Sequence, residues 1–347
     1  TSDGLNADNL SAYGYERDTT PRIKELVASS FVAENAFNNS GKTLGSIISF
    51  YTGKYPTQTR VLYSPDILKG KDSFQHLPGL LKTLGYYNVQ YTYPNHADAF
   101  SANLLSGFDE ANGVSVQQNR LQNQLSQYVK TDYAYFCYEI ANRMIDRLRH
   151  VFFNKKMINQ QDIVEGNTHS FDDQQKIDSV LGVVRSKEQP VFAHVHWMGT
   201  HGRTFVTYNR TYSAAKDAQQ QADWDVDFYD DSIIDFDAAV GQIIDTLREL
   251  GTYDNTILVI GSDHSQNYFT EKRIPLIIHF PSGQYAGTVQ SNVQNIDLAP
   301  TLLDYLGVDQ PVWMGGASIL DGKPGNRPII GVSTGEGQIK SGRQVAN

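Results

Sequence analysis

Three residues in this chain offer hard oxygen or imidazole donors where a divalent cation could collect them: Asp3, Asp263 and His264. An ion that activates a nucleophile and neutralises a developing oxyanion needs several such donors converging from separate segments. Asp263 and His264 are adjacent and follow Gly261 and Ser262, so a bend there lets both side chains reach one ion. The plainer alternative for this pair is a loop cap.

The elements that must position these donors are read from periodicity. Ile233, Phe236, Val240, Ile243, Ile244, Leu247 and Leu250 recur at three- and four-residue steps, which predicts one apolar helix face over 229–250, stopped by Gly251. The β-branched run at 256–260 predicts a buried parallel strand, and ligands bind at the C-terminal ends of such strands. Further strands are expected at 190–197, which runs into Met198-Gly199-Thr200-His201-Gly202, and at 274–280. Helices are expected at 20–29, with Thr20 as N-cap and Pro21 at N1, and at 43–51, 75–84, 118–149 and 297–306. Asp3 is expected to follow a buried strand. The pattern predicts an α/β fold: a mostly parallel central sheet flanked by helices, forming a single domain over 1–347. Residues 100–185 read as an insertion with helical parts, and residues after about 275 as a small C-terminal subdomain.

Composition removes several function classes. With 29 basic against 38 acidic residues and a net charge of −9, the chain lacks the electrostatic footprint of a nucleic-acid binder. No apolar stretch approaches the ~18 residues of a membrane span. Cys137, the sole cysteine, cannot form an internal disulfide and is expected to be a small buried apolar residue. The sequons at Asn9, Asn38 and Asn209 are short enough to arise by chance.

Five segments, in order, carry a wider pattern. They are Asp3-Gly4-Leu5-Asn6-Ala7-Asp8 with the following Thr20-Pro21-Arg22-Ile23; Lys42-Thr43-Leu44-Gly45-Ser46 running to Tyr51-Thr52-Gly53-Lys54-Tyr55-Pro56; Leu250-Gly251-Thr252-Tyr253-Asp254 leading to Ser262-Asp263-His264; Arg273-Ile274-Pro275-Leu276; and Asp297-Leu298-Ala299-Pro300-Thr301. Together they resemble the sulfatase branch of the alkaline phosphatase superfamily over almost the whole chain. The resemblance puts Thr43 at the nucleophile position, nine residues before Thr52 of the Thr-Gly pair. The Cys/Ser-x-Pro-x-Arg motif that sulfatases convert to formylglycine is replaced by Thr43-Leu44-Gly45-Ser46-Ile47. Thr43 instead resembles the nucleophile of the family's phosphodiesterases and of its phosphoethanolamine and phosphoglycerol transferases.

The resemblance therefore implies metal-dependent phosphoryl transfer, with Thr43 attacking and a single divalent ion (Mn, Zn, Mg or Ca) on Asp3, Thr43, Asp263 and His264. A sulfuric-ester hydrolase, or a binding protein on the same scaffold, is the alternative. A threonine hydroxyl needs such activation at neutral pH, whereas as a plain residue Thr43 would be a helix N-cap. His201 matches the substrate-facing histidine, placed to donate to or protonate oxygen. Lys42 and His96 are further substrate-binding candidates, Lys42 with the alternative of a solvated lysine. His194 and His196 share one strand face and read as core or supporting histidines rather than ligands. Ser265 stands where the family has glycine after Asp-His, and the short stretch to Arg273 lacks the histidine that two-metal relatives use. The implied partner is a phosphate ester, on a lipid headgroup or a glycan, and the implied location is periplasmic or extracellular, as in relatives that are outer domains of membrane-anchored proteins.

Overall fold

The computed structural model describes residues 1–93, 97–116, 172–320, 327–335 and 338–341, with single positions between 133 and 148. Its strands are β1 (Phe31–Phe37), β2 (Tyr87–Tyr91), β3 (Glu110–Ala111), β4 (Val114–Ser115), β5 (Val191–Val195), β6 (Leu258–Gly261), β7 (Leu276–His279), β8 (Gly287–Gln294), β9 (Val332–Gly335) and β10 (Gln338–Ser341). Its α-helices are α1 (Pro21–Val27), α2 (Thr43–Thr52), α3 (Pro56–Thr59), α4 (Leu77–Thr83), α5 (Asp173–Ser186), α6 (Val226–Glu249) and α7 (Leu298–Tyr305).

Two four-stranded sheets, in the orders β6-β7-β1-β8 and β4-β3-β2-β5, carry the helices. Both are mixed, which corrects the mostly parallel sheet expected from sequence. β1 with β8, and β2 with β3 and β5, run parallel; β7 runs antiparallel to both β1 and β6, and β3 antiparallel to β4. Of the run at 256–260 expected to be buried only Ile260 is, Ile257 to Val259 being half-buried because β6 lies at the edge of its sheet, and β6 pairs antiparallel with β7. The link between them contains only a 3-10 turn at Gln266–Tyr268, and a parallel return would need a crossover, usually helical. β7 and β8 belong to this sheet, so residues 276–294 are part of the main body. The small separate sheet near the C-terminus is the β9–β10 hairpin.

Alternation along the strands puts helices on both faces. Val191 and Val195 of β5 pack with Ile177 and Leu181 of α5 and with Ile233, Phe236 and Val240 of α6, while Phe192 packs with Ile47 and Tyr51 of α2. α6 buries the predicted stripe, but Leu250 is its exposed C-cap rather than a core residue. α1 starts at Pro21 with Thr20 at the N-cap position as expected, but the Thr20 side chain makes no capping bond: the N–H groups of Arg22 and Ile23 donate instead to the carboxylate of Asp237 at 2.9 and 2.8 Å. All ten residues of α2 are buried, and the helix ends at Gly53, whose φ of 62° is the left-handed C-cap conformation glycine adopts freely.

Most of the insertion expected at 100–185, and most of the helix expected at 118–149, lie outside the described residues. Cys137 is exposed rather than buried. The burial habit of free cysteine presumes a packed helix face, and Tyr133, Phe136 and Ile140 beside it are exposed as well. Among the described residues no helix is long and apolar enough to cross a membrane.

Candidate active site

The two sheets meet at the start of the chain. Ser2 bridges in parallel to Trp197, just past β5, and to Ser262, just past β6. Ser2 N–H donates to the carbonyl of Gly261 and Asp3 N–H to that of Trp197, both at 2.9 Å. Extended backbone thus fills the slot expected before Asp3, and the next residue emerges between two strand ends. Gly4 then turns the chain with a φ of +61°, and a Cβ there would lie 3.1 Å from Gln266 Nε2. Its N–H donates to Asp263 Oδ1 at 3.2 Å, joining the two acidic segments.

Asp3, Thr43, Asp263 and His264 come together as the sequence suggested. Thr43, the first residue of α2, donates from Oγ1 to Asp3 Oδ2 at 3.1 Å and lies 3.4 Å from His264 Nε2. His264 Nε2 is 3.4 Å from Asp263 Oδ2 and 3.6 Å from Asp3 Oδ1. The carbonyl of Ser265 lies 2.9 Å from His264 Nδ1. A carbonyl can only accept, so that nitrogen carries the proton and Nε2 presents its lone pair to the cluster.

His196 was read from sequence as a core or supporting histidine, and the structure places it in the cluster. Its Nε2 lies 3.3 Å from Asp3 Oδ2 and 4.0 Å from Asp263 Oδ2. Asp3, His196 and Asp263, all buried, each offer one ligand atom within 4.8 Å of the others. His194 is the core residue expected, bonded to Tyr51 OH and Thr1 Oγ1 at 2.5 and 2.8 Å. Two histidines on one strand face give no sequence signal for which reaches the strand end.

The polar bookkeeping favours a cation. Asp3 Oδ1 and Asp263 Oδ2 are buried without a hydrogen-bond partner, which is costly for carboxylate oxygens unless an ion engages them. The residues present therefore fit a divalent ion.

A cavity of about 120 Å³ opens beside the cluster, lined by Asp3, His201, Arg203, His264, Gln266 and Tyr268. Drug-sized ligands fill pockets of roughly 300 Å³ or more, so this one suits a small charged group with the rest of its molecule outside. His201 faces the cavity as expected. Lys42 does not line it; its Nζ lies 3.7 Å over the ring of Tyr268, which does. Burial lowers the Lys42 pKa, opposed by Asp3. Tyr268 and Asn267 adopt φ of 63° and 59°, a left-handed pair of non-glycine residues at the cavity wall. Sequence reasoning missed Arg203, Gln266 and Tyr268, which have no motif. His96 lies outside the described residues.

The family described as Sulfatase matches residues 1–308. The chain belongs to the sulfatase family. A stretch of 97 residues is 38% identical to an extracellular sulfatase SULF-1 homolog of Drosophila melanogaster, covering 24% of this chain and only 9% of that protein. Among solved structures, a protein in complex with its substrate D-glucosamine-2-N,6-O-disulfate superposes with a TM-score of 0.63 at 15% identity, covering 98% of this chain and 86% of that one. The phosphonate monoester hydrolase of Agrobacterium radiobacter gives 0.57 at 18%, covering 94% and 77%. These likenesses establish the sulfatase and alkaline phosphatase fold, and the acidic–histidine cluster gives this family member a candidate metal site.

Proposed function

We propose that this sulfatase-family chain cleaves or transfers an anionic ester, a phosphate ester in the first place, with Thr43 as nucleophile. The observation that carries the reading is Thr43 Oγ1 at the start of α2, 3.1 Å from Asp3 Oδ2 and 3.4 Å from His264 Nε2. Asp3, Thr43, Asp263 and His264 would hold the ion, with His196 beside them. Two imidazoles among two carboxylates suit Mn²⁺ or Zn²⁺ better than Mg²⁺ or Ca²⁺. When bound, the ion supplies positive charge that lowers the threonine pKa and offsets charge on the transferring group.

The residues divide the remaining work. Attack by Thr43 Oγ on phosphorus forms the Oγ–P bond and releases the hydroxyl proton along the hydrogen bond to Asp3 Oδ2. The bond to the leaving oxygen breaks as His201 protonates that oxygen. Lys42, the N-cap of α2, makes no side-chain cap bond, so the first-turn N–H groups and the positive helix end are left for the anion. Water or an acceptor alcohol then gives its proton to His201 and attacks phosphorus, the Oγ–P bond breaks, and Thr43 Oγ takes back the proton held by Asp3.

A second reading, hydrolysis of a sulfuric ester on a glycan, is favoured by the relatives, and the comparisons support it more than they support phosphoryl transfer. Against it stands Thr43 itself: the side-chain methyl prevents oxidation to the aldehyde of formylglycine. The extracellular relative supports a location outside the cytoplasm. The deciding experiment is turnover of an aryl phosphodiester beside an aryl sulfate, with Mn²⁺, in wild type and Thr43→Ala. Diester cleavage abolished by the substitution is expected. Sulfate cleavage alone establishes the second reading, and diester turnover unchanged in Thr43→Ala removes Thr43 from the mechanism.

A further inference from the structure

The backbone between His196 and His201 is held from behind by a buried ion pair that takes no part in the chemistry above. Asp173 opens α5, and its carboxylate accepts from the N–H groups of Met198 at 2.9 Å and Gly199 at 2.8 Å. Lys176, one helical turn later, has no exposed surface. Its Nζ donates to Asp173 Oδ1 at 2.6 Å and to the carbonyl of His196 at 2.8 Å. On the opposite side, Thr200 Oγ1 donates to the carbonyl of Asp3 at 2.5 Å and Gln266 Nε2 to the carbonyl of Thr200 at 2.6 Å. Between the two anchors, His201 N–H donates to the carbonyl of Met198 at 2.9 Å and closes the turn.

A buried ion pair is a poor way to stabilise a fold, because desolvation offsets its attraction and apolar side chains of similar volume do as well. What this pair does that apolar residues cannot is hydrogen-bond a particular stretch of backbone. Its bonds outside the pair and its own helix go to residues 196–199, the segment that follows β5 from His196 and starts the His201 turn. We propose that Asp173 and Lys176 are positioning residues of the active site, acting through the backbone of 196–199 to set the His196 imidazole against Asp3 and to aim His201 at the cavity. The proposal rests on the site residues of the proposed function.

The test compares the full-length chain with the double variant Asp173→Asn/Lys176→Met, which removes both charges together and so leaves neither buried alone. Mn²⁺ is titrated calorimetrically into chelator-stripped protein, kcat and KM are measured on whichever ester the wild type cleaves, and melting temperature reports folding. Partners that orient metal ligands typically cost 10–100-fold when lost, so Mn²⁺ affinity and kcat should fall by roughly that factor with KM little changed. A folded double variant with unchanged Mn²⁺ affinity and unchanged kcat, melting temperature alone being shifted, overturns the proposal. A wild-type chain that cleaves neither ester counts against the functional reading, while the Mn²⁺ affinities still decide the role of the pair.

Discussion

Asp263→Asn separates a metal site from a merely structural acidic cluster. Asp263 Oδ1 accepts from Gly4 N–H at 3.2 Å and His264 N–H at 2.7 Å, and an amide oxygen preserves both bonds. Oδ2 is buried without a partner, 3.4 Å from His264 Nε2 and 4.0 Å from His196 Nε2. An amide nitrogen there becomes a donor facing an imidazole lone pair and removes one of two neighbouring carboxylate charges. An unpaired buried polar group costs about 1–3 kcal/mol, so in chelator the variant should be more stable than wild type by about that much. In a chain of this size each kcal/mol moves the melting temperature by roughly 1–2 °C, a rise that differential scanning fluorimetry resolves. Mn²⁺ should do the reverse: at a hundredfold excess over its Kd a ligand stabilises the native state by about 2.7 kcal/mol, and the variant should lose most of that gain. A variant that melts below wild type in chelator and keeps the full Mn²⁺ shift would refute the reasoning.

Thr43→Ser keeps the attacking hydroxyl and should retain diester turnover where Thr43→Ala does not; equal loss in both would assign Thr43 a packing role through its methyl group. His201→Gln removes a proton donor and should lower kcat by about 10²–10⁴-fold while flattening the pH–rate profile; an unchanged profile would exclude His201 as the acid. His196→Ala should weaken Mn²⁺ binding measured by calorimetry, whereas His194→Ala should chiefly lower stability. His76 is buried, accepts from Gly79 N–H at 3.0 Å, and burial lowers its pKa to about 4. Its neutral form is favoured in the native state, so this contribution is fully present above pH 6.5 and is lost as pH falls toward 4, about 3 kcal/mol at 1.36 kcal/mol per unit. A denaturation midpoint whose slope over that range is the same in His76→Asn as in wild type would contradict this.

Much of the cluster was legible because its chemistry is written in residue types at fixed local spacing. Asp263-His264 after a β-branched run, and the ordered family segments that mark Asp3 and Thr43, need no knowledge of distant packing. The apolar stripe of α6 and the existence of the strand ending at Gly261 were legible for the same reason: periodicity is a local property. Strand direction was not. The apolar run of β6 reads alike in a parallel or antiparallel neighbourhood, and the return through a 3-10 turn made it antiparallel to β7. Thr20 sits at the N-cap of α1 as its sequence suggests, but the bonds to the first-turn N–H groups likewise come from Asp237 on another helix, since any carboxylate brought to the helix end satisfies them. His196 shows the division most clearly. The sequence supplied two equivalent histidines on one face of β5; the seating of Ser2 between β5 and β6 put Asp3 beside His196 and left His194 against Tyr51, because proximity across 193 residues of chain is set by strand pairing alone.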